Sequence, residues 1–152
     1  MVSNDIHAAM LDKIDGIIIA AALSGVPVWL VLRAWGRYST LEPVPVQELR
    51  QMRIGLTLLS VSLCMWLGLF LTFLASVIFP HKSKILMAPD WVTSQVSLPA
   101  IGMINLLICV GGIVCSRFGR KSAERSLLLR KAIGLGCGWM LVPWLLIVSN
   151  PH

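Results

Sequence analysis

Four long, uncharged apolar stretches alternate with short polar segments along the chain. A bilayer core about 30 Å thick is crossed by roughly 20 consecutive apolar helical residues. Each stretch approaches or exceeds this length once its flanking residues are included. The pattern therefore predicts an all-α, polytopic integral membrane protein, in which residues 1–152 form a single membrane domain with four transmembrane helices. The predicted spans cover about residues 14–34, 54–79, 98–116 and 132–149.

The basic residues lie on alternate sides of these spans and predict the orientation. Of the 13 Lys and Arg residues, four lie in the first connection and six lie in the third. Connections rich in Lys and Arg stay in the cytoplasm, so we expect both basic connections there and both termini on the outer side. The predicted location is a bacterial inner (cytoplasmic) membrane. Because the start of the chain is acidic where a secretory signal is basic, we expect no cleaved signal peptide.

The first connection also contains a signal for the start of a helix. Proline is favoured at the first helical position, where its missing N–H removes no hydrogen bond. Pro45 is followed by Gln47, Glu48 and Leu49. We therefore expect a helix that begins near Pro45 and continues without a break into the second span.

Composition and charge agree with a membrane location. The mean hydropathy is +0.81 and 13% of the residues are charged, about half of the usual share in soluble proteins. The two basic connections explain most of the net charge of +6, so no nucleic-acid partner is needed. The alternative is a specific partner for this charge, with anionic lipids at the cytoplasmic face as the candidate. The headgroup ligands would be Arg117, Arg120, Lys121 and Arg125.

Small residues recur at helical spacing and predict faces for helix packing, because small side chains let helix backbones approach closely in a bilayer. The second span has them every four residues, at Ser60, Cys64, Gly68, Thr72 and Ser76. The third span has a heptad-like series, at Gly102, Asn105, Cys109 and Gly112, and the fourth has Gly134 and Gly138. Asn105 is the one amide in the core of a span, and we interpret it as a structural interhelical contact, with a substrate contact as the alternative.

Two tryptophans, Trp66 and Trp139, lie away from the predicted span ends. Each indole N–H needs an acceptor at depth. The simpler interpretation is a contact with a neighbouring helix, and the alternative is a docking face for a partner subunit or for a prenyl or pigment ligand. Trp144, in contrast, lies near a span end, where an aromatic belt is expected.

The residues that usually carry membrane chemistry are not in the predicted span cores. His7, His81 and His152 lie in the termini or a connection, and the span cores have no Asp, Glu, Lys or Arg, the usual mark of ion or substrate pathways. The four cysteines lie inside predicted spans, where free cysteine behaves as a small hydrophobe. We therefore predict no enzymatic activity, no catalytic or metal site and no cofactor.

One segment, residues 112–121, resembles the cytoplasmic loop motif of major facilitator transporters, which reads G-x-x-x-D-R-x-G-R-K. The glycines Gly112 and Gly119 match, as do the basic residues Arg117, Arg120 and Lys121. The acidic position of the motif is Ser116 here. The resemblance covers ten residues only, and the chain has fewer spans than that family, so it implies a cytoplasmic helix end rather than membership.

These observations lead to a function hypothesis. The packing faces, the mid-span tryptophans and the short connections favour a non-catalytic, accessory integral membrane subunit that packs within a larger membrane protein complex. The alternative is a small oligomeric transporter or pore, which would need a polar lining such as the hydroxyls of Ser60, Ser62 and Thr72.

Overall fold

The computed structural model describes residues 2–41, 43–78, 97–117 and 124–149, and within these ranges the chain is helical with no strand. The helices are α1 (Val2–Ser39), α2 (Val46–Ile78), α3 (Ser97–Arg117) and α4 (Glu124–Ser149). The predicted all-α fold is therefore confirmed for the described residues. The connections 79–96 and 118–123 lie outside them.

Three of these helices are long and apolar enough to cross a membrane. The candidate spans are Ile14–Ser39 in α1, Val46–Ala75 in α2 and Leu98–Arg117 in α3. This confirms a multi-pass integral membrane protein. The predicted fourth span, 132–149, coincides with most of α4, but its passage through the membrane stays a prediction, as does the orientation of the termini.

The start of α2 agrees with the proline signal. The carbonyl of Pro45 accepts hydrogen bonds from the backbone N–H groups of Glu48 and Leu49, at 2.9 and 3.1 Å. From there the helix continues without interruption to Ile78. The membrane helix therefore extends well beyond the predicted span, and carries Glu48 into the end of the bundle.

The four helices form an up-and-down antiparallel bundle. Ser24 of α1 meets Trp66 of α2, while Trp35, further along α1, meets Ser60, nearer the start of α2. The contacts thus move toward the start of α2 as they move toward the end of α1, so the two helices are antiparallel. Helices α1 and α3 each pack against both α2 and α4, and α2 and α4 also touch each other across the centre.

The buried core is built chiefly from α2 and α4, with smaller contributions from α1 and α3. Its members are apolar and nearly inaccessible: Val31, Ala34, Met52, Leu56, Leu59, Leu63, Cys109, Leu129, Ala132, Ile133, Cys137 and Met140. Many other large apolar side chains point outward, among them Leu32, Leu71, Leu107 and Leu146. Such a surface is suited to lipid, which solvates apolar side chains and does not drive them inward.

Candidate functional site

A closed polar cluster joins α2 to α3 in the interior. The hydroxyl of Ser62 donates to Oδ1 of Asn105, and Nδ2 of Asn105 donates to Sδ of Met65 at 3.0 Å. Sγ of Cys109 lies 3.2 Å from the Ser62 hydroxyl. Asn105 is 0% exposed, so its amide is used within the bundle. This geometry is that of an interhelical contact between α2 and α3.

Close helix approach in the bundle depends on glycines of three helices. A Cβ added at Gly112 of α3 would collide with Sγ of Cys137 in α4, and one at Gly134 would lie 3.0 Å from Oγ of Ser116. The series Gly102, Asn105, Cys109 and Gly112 is buried throughout and is called the α3 face below. The small residues of α3 and the start of α4 thus meet each other.

Three further glycines outside the predicted packing series permit close packing, and one of them, Gly111, brings α3 against Leu58 of α2, at 3.3 Å from an added Cβ. The other two are Gly55 and Gly136. A Cβ at Gly55 of α2 would lie 3.3 Å from Cγ2 of Ile133, and one at Gly136 would lie 2.9 Å from Cδ2 of Leu59. Both bring α2 against α4. Gly55 has no small residue four positions before or after it, and Gly136 has only Ala132, so neither belongs to a long series of small residues.

The predicted small-residue series of α2 lies mostly on the outside. Ser60 accepts a hydrogen bond from Nε1 of Trp35 at 3.1 Å. The next three members, Cys64, Gly68 and Thr72, are exposed, and are called the α2 stripe below. An added Cβ at Gly68 would have no heavy atom within 4 Å. The side chain of Ser76 lies outside the described residues. The same open surroundings are found at Gly138 of α4.

The two mid-span tryptophans both donate to α1. Nε1 of Trp66 donates to the hydroxyl of Ser24 at 2.6 Å, and Nε1 of Trp139 donates to the carbonyl of Leu23 at 3.0 Å. The ring of Trp66 packs edge-on against Trp144 with centroids 6.0 Å apart. The ring of Trp139 remains 41% exposed. Each N–H therefore has the neighbouring-helix acceptor that the simpler interpretation requires.

Trp144 corrects the expectation of an aromatic belt residue. It is 0% exposed and is the largest fully buried side chain among the described residues. Its Nε1 has no hydrogen-bond partner there. Trp144 lies near a span end but does not lie at the membrane surface. It is on the side of α4 that packs against Trp66.

A buried ion pair joins the first turn of α2 to the second turn of α4. The guanidinium of Arg130 lies 2.8 Å from Oε2 of Glu48, and both side chains are buried. From the sequence, Glu48 was expected in the first connection and Arg130 in the third, and their pairing was not predicted. The available signal was Glu48 itself, one of two acids in a connection with four arginines.

Two cavities lie at the same end of the bundle. One, of about 630 Å³, lies between α3 and α4 and includes Arg117 and Lys131 in its lining. The other, of about 600 Å³, is lined by Arg37, Thr40, Arg125 and Leu128. Of the predicted headgroup ligands, Arg117 and Arg125 thus line different cavities, whereas Arg120 and Lys121 lie outside the described residues.

The described residues contain no cluster of three or more His, Cys, Asp or Glu side chains that could hold a metal ion. Cys109 and Cys137 are buried, Cys115 is partly buried and Cys64 is exposed, all as free thiols.

The fold and its three apolar spans thus define the class, a multi-pass integral membrane protein built as an antiparallel helical bundle. No protein-family model, no curated protein and no solved structure matches the chain.

Proposed function

We propose that this protein is a non-catalytic integral membrane subunit that packs, through α2, against another membrane protein in a larger complex. The observation that carries the proposal is the α2 stripe. Cys64, Gly68 and Thr72 form a shallow, exposed surface along the outer face of α2, and the surroundings of Gly68 are empty. In a bilayer, small residues are enriched where helix backbones approach each other.

Within the bundle, small residues lie where two helices pack closely together. Gly112 and Gly134 are covered by side chains of the neighbouring helix at close range. Gly68 belongs to a series of small residues with a regular spacing of four, yet none of the described helices covers it. A helix from another chain would give Gly68 the contact that the α3 face receives internally.

The polar groups of the α2 stripe are compatible with a helix contact in an apolar environment. The hydroxyl of Thr72 donates to the carbonyl of Leu69 at 2.8 Å, so it presents no unsatisfied donor outward. Burying the stripe against a partner therefore carries little desolvation penalty. The gain comes from van der Waals contact along the shallow surface.

Photo-crosslinking in native membranes tests this proposal. A photoreactive benzoylphenylalanine is introduced at Gly68 and, as the matched control, at Gly25 of α1. Both glycines are exposed with no heavy atom within 4 Å of an added Cβ, but only Gly68 lies on the stripe. We expect a defined protein adduct from Gly68 and none from Gly25.

The identity of the adduct distinguishes the two function classes. A different membrane protein in the Gly68 adduct, also retained in native mass spectrometry, supports the subunit role. Adducts between copies of this chain alone, with a closed ring in native mass spectrometry, support an oligomeric transporter or pore instead. Equal lipid labelling at both sites contradicts a packing role for α2.

A further inference from the structure

The groove between the C-terminal end of α3 and the first turns of α4 combines charge with apolar surface. Its lining includes three apolar side chains, Ile113, Leu127 and Leu135, and three cations, of which Arg130 is paired with Glu48 and the other two are Arg117 and Lys131. We propose that this groove binds one anionic phospholipid, with the headgroup phosphate between Arg117 and Lys131 and an acyl chain along Leu135. The inference depends on the membrane location of the chain but not on a partner subunit.

Arg117 and Lys131 give the groove a positive charge. Arg117 and Lys131 are both exposed, and neither has an acidic partner among the described residues. Glu48, the nearest buried acid to this end of α4, is engaged by Arg130 at 2.8 Å. The groove therefore presents two positive charges that no carboxylate of the described bundle neutralises. A phosphate diester supplies the complementary charge, and basic pockets between helices at this side of a membrane are suited to anionic headgroups.

The groove changes from charged to apolar along each of its two helices. Ile113 lies four residues before Arg117 on α3, and Leu135 lies four residues after Lys131 on α4. Because α3 and α4 are antiparallel, both steps lead from the end of the bundle toward its middle, by about 6 Å. Arg117 and Lys131 therefore lie nearer the end of the bundle than Ile113 and Leu135, which is the order of headgroup and acyl chain in a phospholipid. Leu127 lies one turn beyond Lys131, at the outer end of the groove.

The groove is open to the lipid side and large enough for part of a phospholipid. Leu135 is 66% exposed, so an acyl chain can lie against it from the lipid side. The cavity volume of about 630 Å³ falls in the usual range of small-molecule sites. The neighbouring cavity lacks this arrangement, because Leu128 is its one apolar lining residue and Arg125 already interacts within the chain.

The charge argument is tested by lipid retention. The full chain is reconstituted in bilayers of equal phosphatidylglycerol and phosphatidylcholine, extracted gently and analysed by native mass spectrometry. We expect one phosphatidylglycerol retained in preference to phosphatidylcholine. The double variant R117Q/K131Q should weaken that retention roughly 10- to 30-fold, at the usual contribution of a surface cation.

The matched control is R50Q/R53Q. It removes the same amount of charge from exposed positions of α2 at the same end of the bundle, but outside the groove. This control should retain phosphatidylglycerol as the unmodified chain does. Equal loss in both double variants would mean that general surface charge attracts the lipid, and would overturn the site.

The acyl-chain argument is tested by filling the groove without changing its charge. L135W should lower phosphatidylglycerol retention, whereas L146W, an exposed leucine of α4 outside the groove, should not. Glycerol phosphate added in excess should fail to displace the lipid. Unchanged retention in L135W, or displacement by glycerol phosphate, would identify a phosphate ion site and overturn the phospholipid assignment. These measurements use the purified chain, so they are independent of the crosslinks expected at Gly68.

Discussion

The side chains of Glu48 and Arg130 form a buried ion pair. Both are buried, near the starts of two helices that lie diagonally across the bundle. A buried ion pair adds little net stability by itself, but the loss of one partner leaves an uncompensated charge in a medium of low dielectric. The pair therefore fixes how the ends of α2 and α4 meet.

Replacing one partner of this pair should destabilise the bundle strongly. We expect E48A or R130A to lower the free energy of unfolding by about 3 kcal/mol. The double variant E48A/R130A should lose less than the sum of the two, because it buries no lone charge. Reversible denaturation in detergent, followed by circular dichroism, measures this double-mutant cycle. Strict additivity would show that the two side chains do not interact.

Gly112 makes the second prediction at the residue scale. A Cβ at this position would collide with Cys137 of α4, so G112L should force α3 away from α4 and lower the free energy of unfolding by about 1–3 kcal/mol, as overpacking does. Insertion should persist, because leucine increases the hydropathy of the span. The control G25L, at an open position of α1, should unfold at the same denaturant concentration as the unmodified chain. Equal stability of the two variants would contradict close α3–α4 contact.

At the scale of elements, α2 has two different faces. One face, with Gly55 and Leu59, packs against α4, and Ser62 on the same side joins Asn105 of α3. The other face carries the α2 stripe and stays uncovered. The helix is therefore suited to a position between its own bundle and a neighbour.

This division predicts that G68L affects assembly and leaves the isolated bundle unchanged. The new side chain would project into open space, so the unfolding midpoint of the purified chain should stay within error of the unmodified chain. Copurification of the partner from native membranes should fall, because leucine would separate the partner helix from α2. G25L again serves as the control and should retain the partner. Full copurification with G68L would show that the stripe is ordinary surface.

At the scale of the whole molecule, the antiparallel order places the starts of α2 and α4 at one end, together with the end of α1 and of α3. That end contains the ion pair and both basic cavities. The concentration of Lys and Arg there is the pattern that the positive-inside rule assigns to the cytoplasm.

The orientation of the whole chain can be tested directly. Reporter tags at Val2 and His152 should report the outer side, and tags at Thr40 and Ser122 should report the cytoplasm. The reason is the excess of basic residues in the first and third connections. A cytoplasmic signal from the tag at His152, in a protein with intact helices, would contradict both the predicted fourth span and the predicted orientation.

The sequence by itself determined the all-α class, three helices long and apolar enough to cross a membrane, and the start of α2 directly after Pro45, because each depends on local chemistry. Apolar length, charge and a missing N–H act within a few residues. Only the tertiary structure decided which side of each helix faces inward. In lipid, both the inner and the outer face of a helix are apolar, so hydropathy gives no direction. The inward position of Trp144, the outward position of Gly68 and the pairing of Glu48 with Arg130 all depend on neighbours distant in sequence, and no local pattern encodes them.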